Sequence, residues 1–190
     1  MDRRPADAPD VLLTDGTVLL RLPDARDSAA IRGYGQDPDV EETGWLPVPV
    51  PCPPEVAAHV CQEFQQGWQG RFGLTLVITM PPDVDLRGVV HLSVHADGVG
   101  EIAYGLAPRY RRRGLATRAV RLVAAWAFAQ LGLRRLEIVV TAQGTNGLTS
   151  RRVAEKADFV YAGIRRTHLP ATGRDYEDPL YVLPAPGTGA

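Results

Sequence analysis

Residues 102–132, IAYGLAPRYRRRGLATRAVRLVAAWAFAQLG, constrain the chain more than any other stretch. The segment is β-rich up to Leu106, breaks at Pro108, and gathers six arginines between Arg109 and Arg121 around one Gly-Leu-Ala step. It then runs apolar at helical spacing through Ala116, Ala119, Val120, Val123, Ala127 and Leu131, with Gly132 as the stop. A strand that hands over to a long helix through a glycine turn leaves the first helical amides without intrahelical partners, at the positive end of the helix dipole. Such a place binds anions. Gly114 lets an anion approach the backbone with no Cβ in the way, Ala116 keeps the next turn slim, and the arginines add charge at the rim. Three occupants suit that chemistry: a nucleic-acid backbone, one phosphate-bearing small molecule, or solvent alone.

The formal net charge of −1 over 190 residues makes the arginine cluster a local feature of a near-neutral chain, unlike the basic field of most nucleic-acid-binding domains. With 45% hydrophobic and 23% charged residues the chain is expected to form one domain over residues 11–183, between flexible ends at 1–10 and 184–190. Cys52 and Cys61 have neither CxxC spacing nor a secretory context, so a disulfide framework or zinc site is not expected. A cytoplasmic protein without a membrane span is the expectation.

Residues 17–23 read as a strand and 24–35 as a short helix started by Asp24. Prolines 47, 49, 51, 53 and 54 impose extended backbone before a helical pattern from Glu55. Residues 74–80, 86–96 and 100–107 predict a meander, with turns at Pro81-Pro82-Asp83 and Asp97-Gly98. After the long helix come a strand over 134–142, a helix over 150–157, a strand over 159–164 and a last strand over 176–183, which Pro179 is expected to place at an edge or a bulge. The order is that of an α+β, or mixed α/β, sandwich on one sheet.

Two other phosphate motifs fail. GVGEIA, Gly98–Ala103, spells GxGxxA, yet the sequence continues as a strand where a dinucleotide turn must open a helix. No GxxxxGK is present. His91 and His95 have the HxxxH spacing on a strand, which lacks the one-turn geometry of a metal clamp, so no metal is assigned.

The run YGLAP followed by R-x-x-G-x-A, then LRRLEIVV, SRRVAEKADF and GRDYEDPLYVL, resembles the GNAT N-acetyltransferase superfamily, in particular the Rim-type ribosomal-protein N-terminal acetyltransferases. The likeness is specific over residues 86–183 and loose before them. It implies a GNAT-type fold: a central, mostly antiparallel twisted sheet of about six to seven strands, splayed between two parallel central strands and flanked by about four helices. It also implies acetyl-CoA as co-substrate and an amine as acceptor. By the resemblance, the backbone of Leu106 pairs with pantetheine, while Arg111, Arg112, Arg113, Gly114, Leu115, Ala116 and Thr117 form the diphosphate loop. Glu101 is the candidate general base, a water that relays the proton being its alternative, and Glu137 is a second candidate. Ser150 is the candidate donor to the CoA sulfur, an ordinary helix N-cap being its alternative, because the tyrosine many members carry is replaced here by Ala154.

Two departures from the family pattern stand out. The expected asparagine position holds Gly147, with Asn146 one residue earlier as a cofactor contact, and an aspartate, Asp158, stands where a turn glycine is usual, which predicts left-handed backbone at that residue. Tyr161, Arg174 and Tyr176 are possible acceptor contacts, and an edge strand and Pro-rich surface are compatible with a homodimer. The alternatives to an acetyltransferase are a CoA-binding regulatory module without catalysis, or nucleic-acid binding through Arg109–Arg121.

Overall fold

The computed structural model describes residues 11–35, 51–66, 73–140, 147–169 and 174–187. Eight strands form one sheet: β1 (Leu13–Thr14), β2 (Leu19–Arg21), β3 (Leu74–Met80), β4 (Asp83–Val94), β5 (Val99–Leu106), β6 (Arg135–Val139), β7 (Val160–Leu169) and β8 (Arg174–Pro184). Among the described residues four α-helices accompany them: α1 (Ser28–Gly35), α2 (Pro54–Gln65), α3 (Leu115–Leu131) and α4 (Gly147–Lys156). The sheet order is β1-β2-β3-β4-β5-β6-β8-β7, with every neighbouring pair antiparallel except β5 and β6. The meander predicted over 74–107 is therefore present. The Pro-rich residues 36–50 and Asn146 lie outside the described residues.

Both faces of the sheet are covered at β3. Leu74, Leu76 and Ile78 alternate with Thr75, Val77 and Thr79 along β3, and all six are buried, as expected for a strand between two layers. On one face α3 lays Ala116, Ala119, Val120, Val123, Ala127 and Leu131 against Leu76, Val90, Leu92, Ile102 and Leu136. Its small residues let the helix approach closely. On the other face α1 and α2 bring Ile31, Val60, Cys61 and Phe64 onto Val77, Leu86 and Val89. That second core covers only part of the face.

Pro179 does not put β8 at an edge. β8 lies inside the sheet, between β6 and β7, and the pairing with β6 ends at Val139–Leu180. The Pro179 carbonyl accepts from the Val140 amide at 2.9 Å. Because a strand residue's N and C=O point the same way, the missing proline N–H faces the point where β6 stops, and no ladder bond is forfeited further on. The irregularity falls in β7 instead, where Tyr161 faces Tyr181 but Gly163 faces Leu180, leaving Ala162 as an extra residue. The left-handed backbone expected at Asp158 is observed, with φ 69°.

Candidate active site

β5 and β6 pair over only three rungs, Val99–Arg135, Gly100–Leu136 and Glu101–Glu137. On its other side β5 stays paired with β4 as far as Leu106, and the Ala107 amide donates to the Arg87 carbonyl at 2.9 Å. By the two-residue alternation of a strand, the backbone groups of Tyr104 and Leu106 point the opposite way, into the wedge where β5 and β6 part. The Leu106 carbonyl accepts from Arg111 Nε at 3.0 Å. Its amide faces the wedge.

The strand edge leads directly into the loop. After a 3-10 turn at Pro108–Tyr110, Arg111 is extended, Arg112 has φ 62° and Gly114 has φ 77°. A Cβ at Gly114 would meet nothing within 4 Å, so the positive φ, and not crowding, selects glycine there. Among the described residues no side chain caps α3; its first backbone bond runs from Arg118 N to the Gly114 carbonyl at 3.1 Å, and the amides of Leu115, Ala116 and Thr117 come before it. Leu115 and Ala116 are buried beneath the turn, with Thr117 half-buried. The arginines are not one field. Arg118 bonds Asp15 at 2.6 Å, Arg121 bonds the Lys156 carbonyl at 2.5 Å and Asp158 at 3.2 Å, and Arg111 is turned to Leu106. Arg112 and Arg113 stand exposed at the turn itself.

On the face covered by α3, Tyr104 reaches α4. Its hydroxyl donates to the Ser150 carbonyl at 2.8 Å and lies 3.0 Å from Ser150 Oγ. Burial pushes the Tyr104 phenol well above the ordinary tyrosine range, the hydrogen bond to Ser150 offsetting only part of the shift. It stays a proton donor. Ser150 is not an N-cap, because α4 begins at Gly147 and the serine sits within its first turn. Sequence reasoning passed over Tyr104; the signal was an aromatic hydroxyl two residues before Leu106, on the core side of β5.

The opposite face of the same strands is polar. Glu101 Oε2 accepts from Arg165 at 2.5 Å and lies 4.0 Å from His95 Nε2. Arg165 also bonds Glu137, whose other oxygen accepts from Arg135 Nε at 2.7 Å. Glu137 is 4% exposed and Glu101 32%. Nearby, His91 Nδ1 lies 2.9 Å from Thr75 Oγ1, and burial pulls the imidazole down to about 4. Tyr161 is exposed against the edge of the Tyr181 ring, and the Arg174 side chain lies outside the described residues. Trp126 packs on the core; Trp45 and Trp68 are likewise outside. Among the described residues no group of His, Cys, Asp or Glu could hold a metal ion, and no helix is long and apolar enough to cross a membrane.

A parting parallel pair whose free strand edge runs into an uncapped helix through a glycine turn fits an extended ligand with amides in its middle and a diphosphate at one end. That is the layout of an acyl-CoA transferase. Residues 17–160 match the family model of the acetyltransferase (GNAT) domain, and the chain belongs to that family, whose members transfer acetyl groups from acetyl-CoA. It is 25% identical over 178 residues to the uncharacterized N-acetyltransferase YoaA of Bacillus subtilis (strain 168), covering 93% of this chain and 97% of that protein. Its fold is similar to a putative ribosomal-protein-serine acetyltransferase from Vibrio cholerae, with TM-score 0.73 and 17% identity over 93% of this chain and 98% of that one. It is also similar to the microcin C7 self-immunity acetyltransferase MccE in complex with acetyl-CoA and AMP, with TM-score 0.68 and 16% identity over 90% and 93% of the two chains.

Proposed function

We propose that this chain moves the acetyl group of acetyl-CoA onto a primary amine, a protein N-terminus or a small-molecule amine, by direct transfer in a ternary complex. The observation that supports it most is the three-rung pairing of β5 and β6, which leaves the Tyr104 and Leu106 edge open just before the Gly114 turn. An open strand edge can take the pantetheine amides as an added strand. Arg112 and Arg113, with the amides of Gly114, Leu115, Ala116 and Thr117, would hold the diphosphate. Arg111 keeps the loop registered on β5 through the Leu106 carbonyl.

Acetyl-CoA supplies an acetyl thioester, which is open to attack by a neutral amine and releases a thiol. The Leu106 amide, a preformed donor at the wedge, polarises the carbonyl oxygen. Glu101 takes the proton from the incoming ammonium, and Ser150, its hydroxyl held against Tyr104, donates toward the departing sulfur. A thiol with an ordinary pKa of about 8.5 needs only modest help to leave. Alignment of the two substrates carries most of the rate.

An amine panel with thiol release as readout tests this reading, alongside thermal shift with acetyl-CoA, CoA and a short DNA duplex. Stabilisation by both CoA compounds and turnover with at least one primary amine are expected. Binding without turnover across the panel would favour a regulatory module, and stabilisation by duplex alone would favour nucleic-acid binding.

A further inference from the structure

Glu101 and Glu137 form the last rung before β5 and β6 separate, and their side chains share one face of the sheet. Like charges directly opposite each other across a ladder repel. One of the two, Glu137, is almost completely buried. Two uncompensated carboxylates at the vertex of the wedge would therefore push the strands apart. The chain resolves this from a distance. Arg165 reaches over from β7 with one guanidinium nitrogen on Glu101 and the other on Glu137.

We propose that Arg165 is a positioning residue that bridges Glu101 and Glu137 at the root of the wedge and fixes both the geometry and the charge of that pair. The inference rests on the reading of Glu101 as proton acceptor for its catalytic half only. A guanidinium is planar, permanently charged and forked, so it can serve two carboxylates at once. The extra residue Ala162 in β7 supports the assignment, because a one-residue shift sends every later side chain of that strand to the other face, and Arg165 lies beyond it. Glu137 is the anchor, with its second oxygen on Arg135. Among the described residues Glu101 is bonded through Oε2, so it is oriented yet open to an ammonium. The charged and polar groups on that face are Glu137 and Arg135 from β6, Arg165 from β7, Asp178 from β8, which is buried and directly opposite Arg165 in register, His95 beyond the end of β4 and, uncharged, Ser93 opposite on β4.

The test compares wild type, Arg165→Met and Arg165→Met/Glu137→Gln by urea unfolding between about pH 5 and pH 8, and by the acid limb of kcat/KM. Without the bridge, two like charges face each other uncompensated in the folded protein, a repulsion that acid relieves. The stability deficit of Arg165→Met should then be largest near pH 8 and shrink as pH falls. The acid limb should move up by about one pH unit, a tenfold loss on that limb. Removing the second charge in the double variant should reverse most of both effects. A deficit that is the same at every pH, unrelieved by Glu137→Gln, would mean that Arg165 only packs, and would overturn the proposal. If the stability pattern appears while the acid limb stays put, the bridge is upheld and Glu101 loses its role as proton acceptor. Should Arg165→Met fail to fold at any pH, Arg165→Lys carries the same comparison, since its single ammonium cannot span both carboxylates as the fork does.

Discussion

Substitutions at Gly114 separate backbone from charge. At φ 77° a side chain costs about 1–2 kcal/mol, and the stiffer unfolded chain of a non-glycine residue returns about 0.4–1 kcal/mol of that. The space beyond the Cβ is open, so no clash adds to the sum. Gly114→Ala and Gly114→Glu should therefore share a loss of about 0.5–1 kcal/mol, a fall in Tm of roughly 1–4 °C. Their affinities for CoA should differ far more. A carboxylate about 5 Å from a bound diphosphate, at an effective dielectric near 20 and with salt screening, costs about 2–3 kcal/mol, or roughly 30- to 150-fold in Kd. Isothermal titration with CoA and with dephospho-CoA reads the difference. Both ligands keep the diphosphate, so both should weaken alike, and the gap between Ala and Glu should narrow as salt is raised. Equal loss in the two variants, or unchanged binding in Gly114→Glu, would refute a diphosphate site at this turn.

Two further outcomes follow from close packing and from burial. A Cβ at Gly88 would lie 2.2 Å from the Gly105 carbonyl oxygen and 2.9 Å from Leu106 Cα, both backbone atoms, so Gly88→Ala should cost about 2–3 kcal/mol and weaken acetyl-CoA binding by displacing Leu106; a Tm within about 1 °C of wild type would contradict that close approach. His91 is held near 4 against about 6.5 in the unfolded chain, so protonation favours unfolding, and up to about 3 kcal/mol of stability should disappear as pH falls from about 6.5 to about 4. His91→Gln should flatten that slope, and an identical slope in wild type and variant would show that another group is responsible.

Most of the scaffold could be read locally. β3 is marked at 74–80 by its β-rich apolar run and the turn at Pro81-Pro82-Asp83, and α3 by a period that starts and stops at glycines. Left-handed backbone at Asp158 followed from the family pattern and the tolerance of aspartate for it. The differences have separate physical causes. Pro179 announces a missing donor, but only the end of β6, some forty residues earlier, makes that loss harmless. The helix expected from Ser150 begins at Gly147 instead, which removes the N-cap alternative for that serine. The two-residue β1 is too short for any period to mark. Of the candidate site, the loop and the Leu106 edge were legible because they are contiguous. Arg165 was not, since it meets Glu101 across 64 residues of sequence and a local irregularity decides which face it serves.

The placement of β8 between β6 and β7 also dictates an order of assembly. β7 precedes β8 in the chain, yet it has no sheet neighbour until residues 174–184 arrive to separate it from β6. During synthesis the β3-β4-β5 meander can close from nearby contacts alone, while one flank of β6 waits as an unsatisfied edge. A nascent chain halted before Arg174 would expose that flank along with β7, and loss of the final strand would be felt first as aggregation.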